Sequence, residues 1–166
     1  MIIMVSGLPG SGKSYFSEYL AKKLQCNYIN SGQVKLALQT SGKYALKDKL
    51  VVYKEMLQQT IKAIEENKDV VVDATFYNHI MREMFIRIAF TRGVPIRVIE
   101  VIADEDIIKQ RLQKPGKHSE ADYSLYEKIR DDFEEITMPH LTVKSTNDNL
   151  DTMLKIAITY INSEEA

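Results

Sequence analysis

Gly7-Leu8-Pro9-Gly10-Ser11-Gly12-Lys13-Ser14 fits the pattern G-x-x-x-x-G-K-[ST] at every fixed position. Its context agrees. Met1 to Ser6 is a short apolar run that reads as a buried strand, and Ser14 to Leu24 continues with helical spacing. Strand, glycine-rich loop and helix in that order define a phosphate-binding loop. Glycines let the backbone curl closely around an anion, so that successive N–H groups point inward. The positive end of the following helix adds to the attraction. Lys13 supplies a charge for the β- and γ-phosphates, and the Ser14 hydroxyl is suited to Mg²⁺. The expected cofactors are therefore ATP and Mg²⁺, with Gly7, Leu8, Pro9, Gly10, Ser11, Gly12, Lys13, Ser14 and the adjoining Tyr15 around the nucleotide.

The rest of the chain alternates strands and helices. Asn27 to Asn30, Val70 to Asp73, Ile96 to Ile102 and Leu141 to Lys144 read as further strands, five in all with the first. Val70-Val71-Val72 is apolar without alternation, which suits a strand covered on both faces. Ser31 is expected to cap a helix over 33–38. Leu50, Tyr53, Leu57, Ile61 and Ile64 predict a long helix over 47–66. Helices are also expected over 78–92, with Ile80, Met84 and Ile88 inward and Phe85 a further candidate, from Asp104 to Leu112, and over 123–135. A terminal helix has Leu150, Met153, Leu154, Ala157, Ile158 and Ile161 on its inner face. This is an α/β protein, a three-layer sandwich around a parallel sheet. Residues 1–166 form one domain, with an irregular, cation-rich segment near 112–122 that suits a lid.

The 166 residues carry 22 basic and 23 acidic side chains, a net charge of −1. That balance shows no general footprint for nucleic acid, so a nucleic-acid acceptor needs a local basic groove. Cys26 is the only cysteine, which excludes an internal disulfide. No apolar run approaches the ~20 residues that span a bilayer. A first strand beginning at residue 2 leaves no room for a signal peptide. A soluble, cytoplasmic protein without membrane partners is expected.

Three further residues are candidates for chemistry. Asp73 ends a parallel strand, where ligand crevices open in such folds. It could hold Mg²⁺, take a proton from an acceptor hydroxyl, or cap the next turn. Arg82, early in the following helix, could reach back to a substrate anion or be a solvated surface group. Arg111 precedes Lys114, Lys117 and His118 and is the best candidate for a lid arginine on the phosphates. His79, His118 and His140 show no metal-ligand spacing.

Several of these pieces together resemble the zeta-toxin/polynucleotide-kinase-like group of P-loop kinases. They are the phosphate loop, Val70-Val71-Val72-Asp73-Ala74-Thr75 with Arg82 nine residues on, Arg111-Leu112 followed by Ser119-Glu120-Ala121-Asp122, and a last strand and helix. The resemblance implies strand order 2-3-1-4-5, an arginine-bearing lid, and ATP-dependent phosphorylation of a hydroxyl on a small molecule, nucleotide or nucleic acid. It assigns Lys13 and Ser14 to phosphate and metal, and Arg111 to the lid. The group's Asp-x-x-Arg element is Gly32-Gln33-Val34-Lys35 here, so Lys35 stands in the substrate-binding arginine's place and the usual base is absent. Phe76 replaces the group's asparagine after Asp-Ala-Thr, and Lys114 its second lid arginine. The two readings are a kinase in which Asp73 serves as base, or a nucleotide-binding module without transfer activity.

Overall fold

The computed structural model describes residues 1–113 and 123–163. Five strands form one sheet: β1 (Ile2–Ser6), β2 (Asn27–Asn30), β3 (Val70–Asp73), β4 (Ile96–Ile102) and β5 (Leu141–Lys144). Their order is β2-β3-β1-β4-β5, and every pairing is parallel. This agrees with the expected order. Ile2 lies opposite Val70 on one side and Ile96 on the other, so β1 is central and all five of its residues are buried. The phosphate loop thus leaves the middle of the sheet, one strand from Asp73.

Period-two alternation divides these strands between two cores. Ile3, Val5, Val71, Ile99 and Val101 face α1 (Lys13–Leu24) and α7 (Leu150–Ile161), through Phe16, Leu20, Met153, Leu154 and Ala157. Ile2, Met4, Val70, Val72 and Val98 face α3 (Leu46–Glu65) and α4 (His79–Arg92), through Val52, Met56, Met81 and Phe85. An all-apolar β3 is explained by burial on both sides, Val71 in one core and Val70 and Val72 in the other. The remaining helices are α2 (Ser31–Ala37), α5 (Glu105–Leu112) and α6 (Tyr123–Asp132).

The structure differs from the expectations in four places. Asn30, not Ser31, caps α2, its side chain accepting from the Gln33 N–H at 3.1 Å. Helix α4 is turned by about one residue: Met81, Arg82, Phe85 and Ala89 are buried, while Ile80 is 55% exposed. In α3 the offset is one residue the other way: Tyr53 is buried as expected, but with Val52, Met56, Thr60 and Ala63. In both helices the expected apolar residues Leu50, Leu57, Ile64, Met84 and Ile88 pack half-buried beside these faces, a division that spacing alone does not reveal. Helix α6 ends at Asp132 rather than Glu135. The lid segment from Lys114 to Asp122 lies outside the described residues.

Candidate nucleotide-binding site

The turn after β1 needs glycine for steric reasons. At Gly7 (φ 155°) an added Cβ would lie 2.5 Å from the Val101 carbonyl oxygen. At Gly12 (φ 90°) it would meet Ser145 Oγ at 2.8 Å and Arg111 Nη1 at 3.1 Å. Gly12 is also the N-cap of α1 and gives it no side-chain hydrogen bond. The amides at that helix end are therefore left for an anion. Lys13 and Ser14 open the helix. Burial lowers the Lys13 pKa from the ordinary lysine range, and the neighbouring Asp73 charge partly restores it.

Asp73 is wholly buried at the end of β3. Its Oδ2 accepts from the Tyr28 hydroxyl at 2.8 Å and from Asn30 Nδ2 at 2.6 Å. Asn30 Nδ2 also lies 3.3 Å from Ser14 Oγ, so one amide joins the two residues suited to a metal. Asp73 Oδ1 is buried and has no hydrogen-bond partner among the described residues. Such an oxygen needs a partner, and beside Ser14 a cation meets that need. Mg²⁺ is commonly held by one or two carboxylates together with substrate phosphates. The donors here fit that habit, and no cluster of three or more His, Cys, Asp or Glu suited to a metal occurs among the described residues.

Arg111 lies on the outer side of the loop. Its Nη1 donates to the Gly10 carbonyl at 3.1 Å, and its Nη2 to Ser145 Oγ and the Thr146 carbonyl, both at 3.0 Å. A cavity of about 470 Å³ opens beside it, lined by Gly12, Tyr15, Arg111, Asn147 and Asp151 among others. Tyr15 is 55% exposed and stacks on Tyr19 with ring centroids 4.9 Å apart.

Arg82 is directed elsewhere. It is buried, and its guanidinium donates to the backbone carbonyls of Asn78, Glu134 and Glu135. Those bonds tie α4 to the segment after α6. Lys35, in the last turn of α2, lies over the Tyr44 ring at 5.7 Å. The structure therefore brings Lys13, Ser14 and Asp73 together, holds Arg111 on the opposite side of the loop, and leaves Arg82 and Lys35 outside this group. Sequence reasoning missed Tyr28, Asn30 and Ser145. The available signal for the first two was a polar end, Asn30, to a strand that must reach the crevice beside β3.

A parallel sheet of this order, with a phosphate loop between β1 and α1, defines an α/β nucleotide-binding protein of the P-loop NTPase class. The chain belongs to the AAA domain family, which matches residues 2–136. It is 23% identical to a cytidylate kinase of Sulfurisphaera tokodaii over 98% of this chain and 96% of the relative. Among solved structures it resembles the Mycobacterium tuberculosis APS kinase in complex with AMPPNP and APS, with a TM-score of 0.74, 16% identity and coverage of 98% and 97% of the two chains. A gluconokinase from Sinorhizobium meliloti gives a TM-score of 0.69 at 15% identity, with 96% and 93% covered. Family and fold together put the chain in the P-loop class, whose phosphate loop takes ATP with Mg²⁺. No described helix is long and apolar enough to cross a membrane.

Proposed function

We propose that the chain is an ATP-dependent kinase that transfers the γ-phosphoryl group to a hydroxyl of a small molecule, nucleotide or nucleic-acid acceptor. The observation that carries this reading is the convergence of Lys13, Ser14 and the unpaired Asp73 Oδ1 at one end of the glycine loop. In the reaction the acceptor oxygen bonds to the γ-phosphorus while the bond to the β,γ-bridging oxygen breaks, releasing ADP, and the hydroxyl proton passes to an oxygen of the transferred phosphoryl group and on to solvent. The loop amides and Lys13 hold the triphosphate in line, and positioning of this kind supplies most of the catalysis in such transfers. Ser14 and Asp73 are the residues that would hold Mg²⁺, which when bound supplies positive charge against the phosphate oxygens. The bonds of Arg111 to Gly10 and the 145–146 turn favour a role at the nucleoside end of ATP over one at the γ-phosphate.

A second acceptor chemistry is favoured by a specific observation. Gly32 and Lys35 replace the Asp-x-x-Arg pair, and Asp73 is held by Tyr28 and Asn30. An acceptor whose nucleophile is already an anion, such as the phosphate of a nucleoside monophosphate, needs no base. The relatives named cytidylate kinase point the same way. One experiment covers both readings: γ-labelled ATP is incubated with nucleoside monophosphates, sugars and 5′-hydroxyl oligonucleotides, and the product is resolved chromatographically. Label on a hydroxyl supports the first reading, and label on a phosphate the second. Tight ATP binding with no labelled product from any class leaves a nucleotide-binding module.

A further inference from the structure

We propose that Tyr28 and Asn30 are positioning residues that fix Asp73 as the metal carboxylate of this site, one oxygen tied back and the other left for the cation. The inference rests on the metal reading of Ser14 and Asp73 given above and adds the residues that orient them.

The argument begins with the rotamer of Asn30. Its Oδ1 accepts the Gln33 N–H at the start of α2, which fixes the amide flip. Nδ2 must then point to the other side, where Asp73 Oδ2 is 2.6 Å away and Ser14 Oγ is 3.3 Å away. A helix cap thus decides the direction of a donor in the site. Tyr28 supplies the second donor to the same oxygen. Its hydroxyl is 2.8 Å from Asp73 Oδ2 and 3.3 Å from the Ser14 carbonyl, so its single proton goes to the nearer, charged acceptor.

Both donors act on Oδ2, and among the described residues none acts on Oδ1. Such an unequal arrangement orients a carboxylate. With Oδ2 held from the β2 side, rotation of the carboxyl about its last bond is blocked and Oδ1 keeps one direction. The register makes this local: Asn30 lies opposite Asp73, and Tyr28 opposite Val71, across neighbouring parallel strands. Tyr28 and Asn30 are two residues apart and so emerge on the same face of the sheet, the face that carries α1.

The test reads metal affinity without turnover. Mn²⁺ is titrated into the complex with saturating ADP, and the free ion is measured by its paramagnetic resonance signal. Tyr28→Phe removes the hydroxyl and keeps the ring. Asn30→Ser retains a residue type that caps helices and withdraws the amide, so it provides a second variant if the first loses its fold. Partners that orient metal ligands typically change affinity by 10–100-fold. We expect the Mn²⁺ dissociation constant to rise by about that factor in each variant, with metal-free ADP affinity within about twofold of the parent. Unchanged Mn²⁺ affinity in the folded variants overturns the proposal. Equal loss of ADP affinity with and without metal also overturns it, because the residues then serve only the packing. If the parent complex itself takes up no Mn²⁺, the metal reading of Ser14 and Asp73 fails first and takes this inference with it.

Discussion

Phe76 stands at φ 48°, a left-handed conformation uncommon for a bulky side chain, and its buried N–H donates to the Tyr53 hydroxyl at 2.9 Å. Its ring meets those of Tyr53 and Phe85 edge-on at 5.4 and 5.3 Å. Tyr53→Phe keeps the packing and leaves that N–H without its partner, a change that costs about 1–3 kcal/mol. Urea denaturation should show a lower midpoint with an unaltered slope; a variant as stable as the parent removes this bond from the account. Lys13 gives a prediction in pH. Burial lowers its pKa, and a bound triphosphate raises it by adding negative charge. Between the lowered value and the ordinary 10.5, binding must therefore take protons up from the buffer. Calorimetry of ATP binding at about pH 9, in two buffers of different ionisation enthalpy, should report net proton uptake. Lys13→Met should lose it, and proton release by the parent would contradict the sign.

Elements were more legible than their faces and caps. All five strands lie where they are expected, β1, β3 and β4 on largely apolar runs, and α5 ends at Leu112 as expected. The cap of α2 was misplaced because Asn30 and Ser31 both suit that role, and only the bond to Gln33 distinguishes them. For Arg82 the sequence leaves a substrate-binding and a surface role open, and two of the carbonyls that engage it come from 52 and 53 residues away. No local pattern carries that information. The phosphate loop is the opposite case, since its glycines are imposed by neighbours as well as by φ. Gly12→Ala places a methyl against Ser145 and Arg111, and we expect ATP affinity to fall at least ~10-fold, or about 1.4 kcal/mol, by calorimetry. Arg111, near the end of α5, discriminates two mechanisms. If it serves the nucleoside end, Arg111→Met raises KM for ATP with kcat within a few-fold; an arginine acting on the transferring phosphoryl group would instead cost ~10³ or more in kcat.

At the scale of the whole molecule, alternating strands and helices imply a parallel sheet, but not which strand is central. The order came from the resemblance carried by the loop and the Asp-Ala-Thr stretch, and the register bears it out. A central β1 has an energetic consequence. The loop, α1, β3 and the turn after β5 all meet at the nucleotide site, through Ser14, Asn30 and Asp73 on one side and Arg111 with Ser145 on the other. A ligand there contacts parts of the chain that are remote in sequence, so its binding energy opposes unfolding of the whole domain. At a free concentration of 100 times Kd the linkage is about 2.7 kcal/mol. For a domain of this size, each kcal/mol moves Tm by roughly 2–4 °C. Magnesium and ATP together should therefore raise the melting temperature by about 5–10 °C in a single cooperative transition. Gly12→Ala, at the same nucleotide concentration, should show a much smaller rise. A parent protein whose melting is indifferent to saturating nucleotide would mean that the loop binds no triphosphate, and the kinase reading would fall with it.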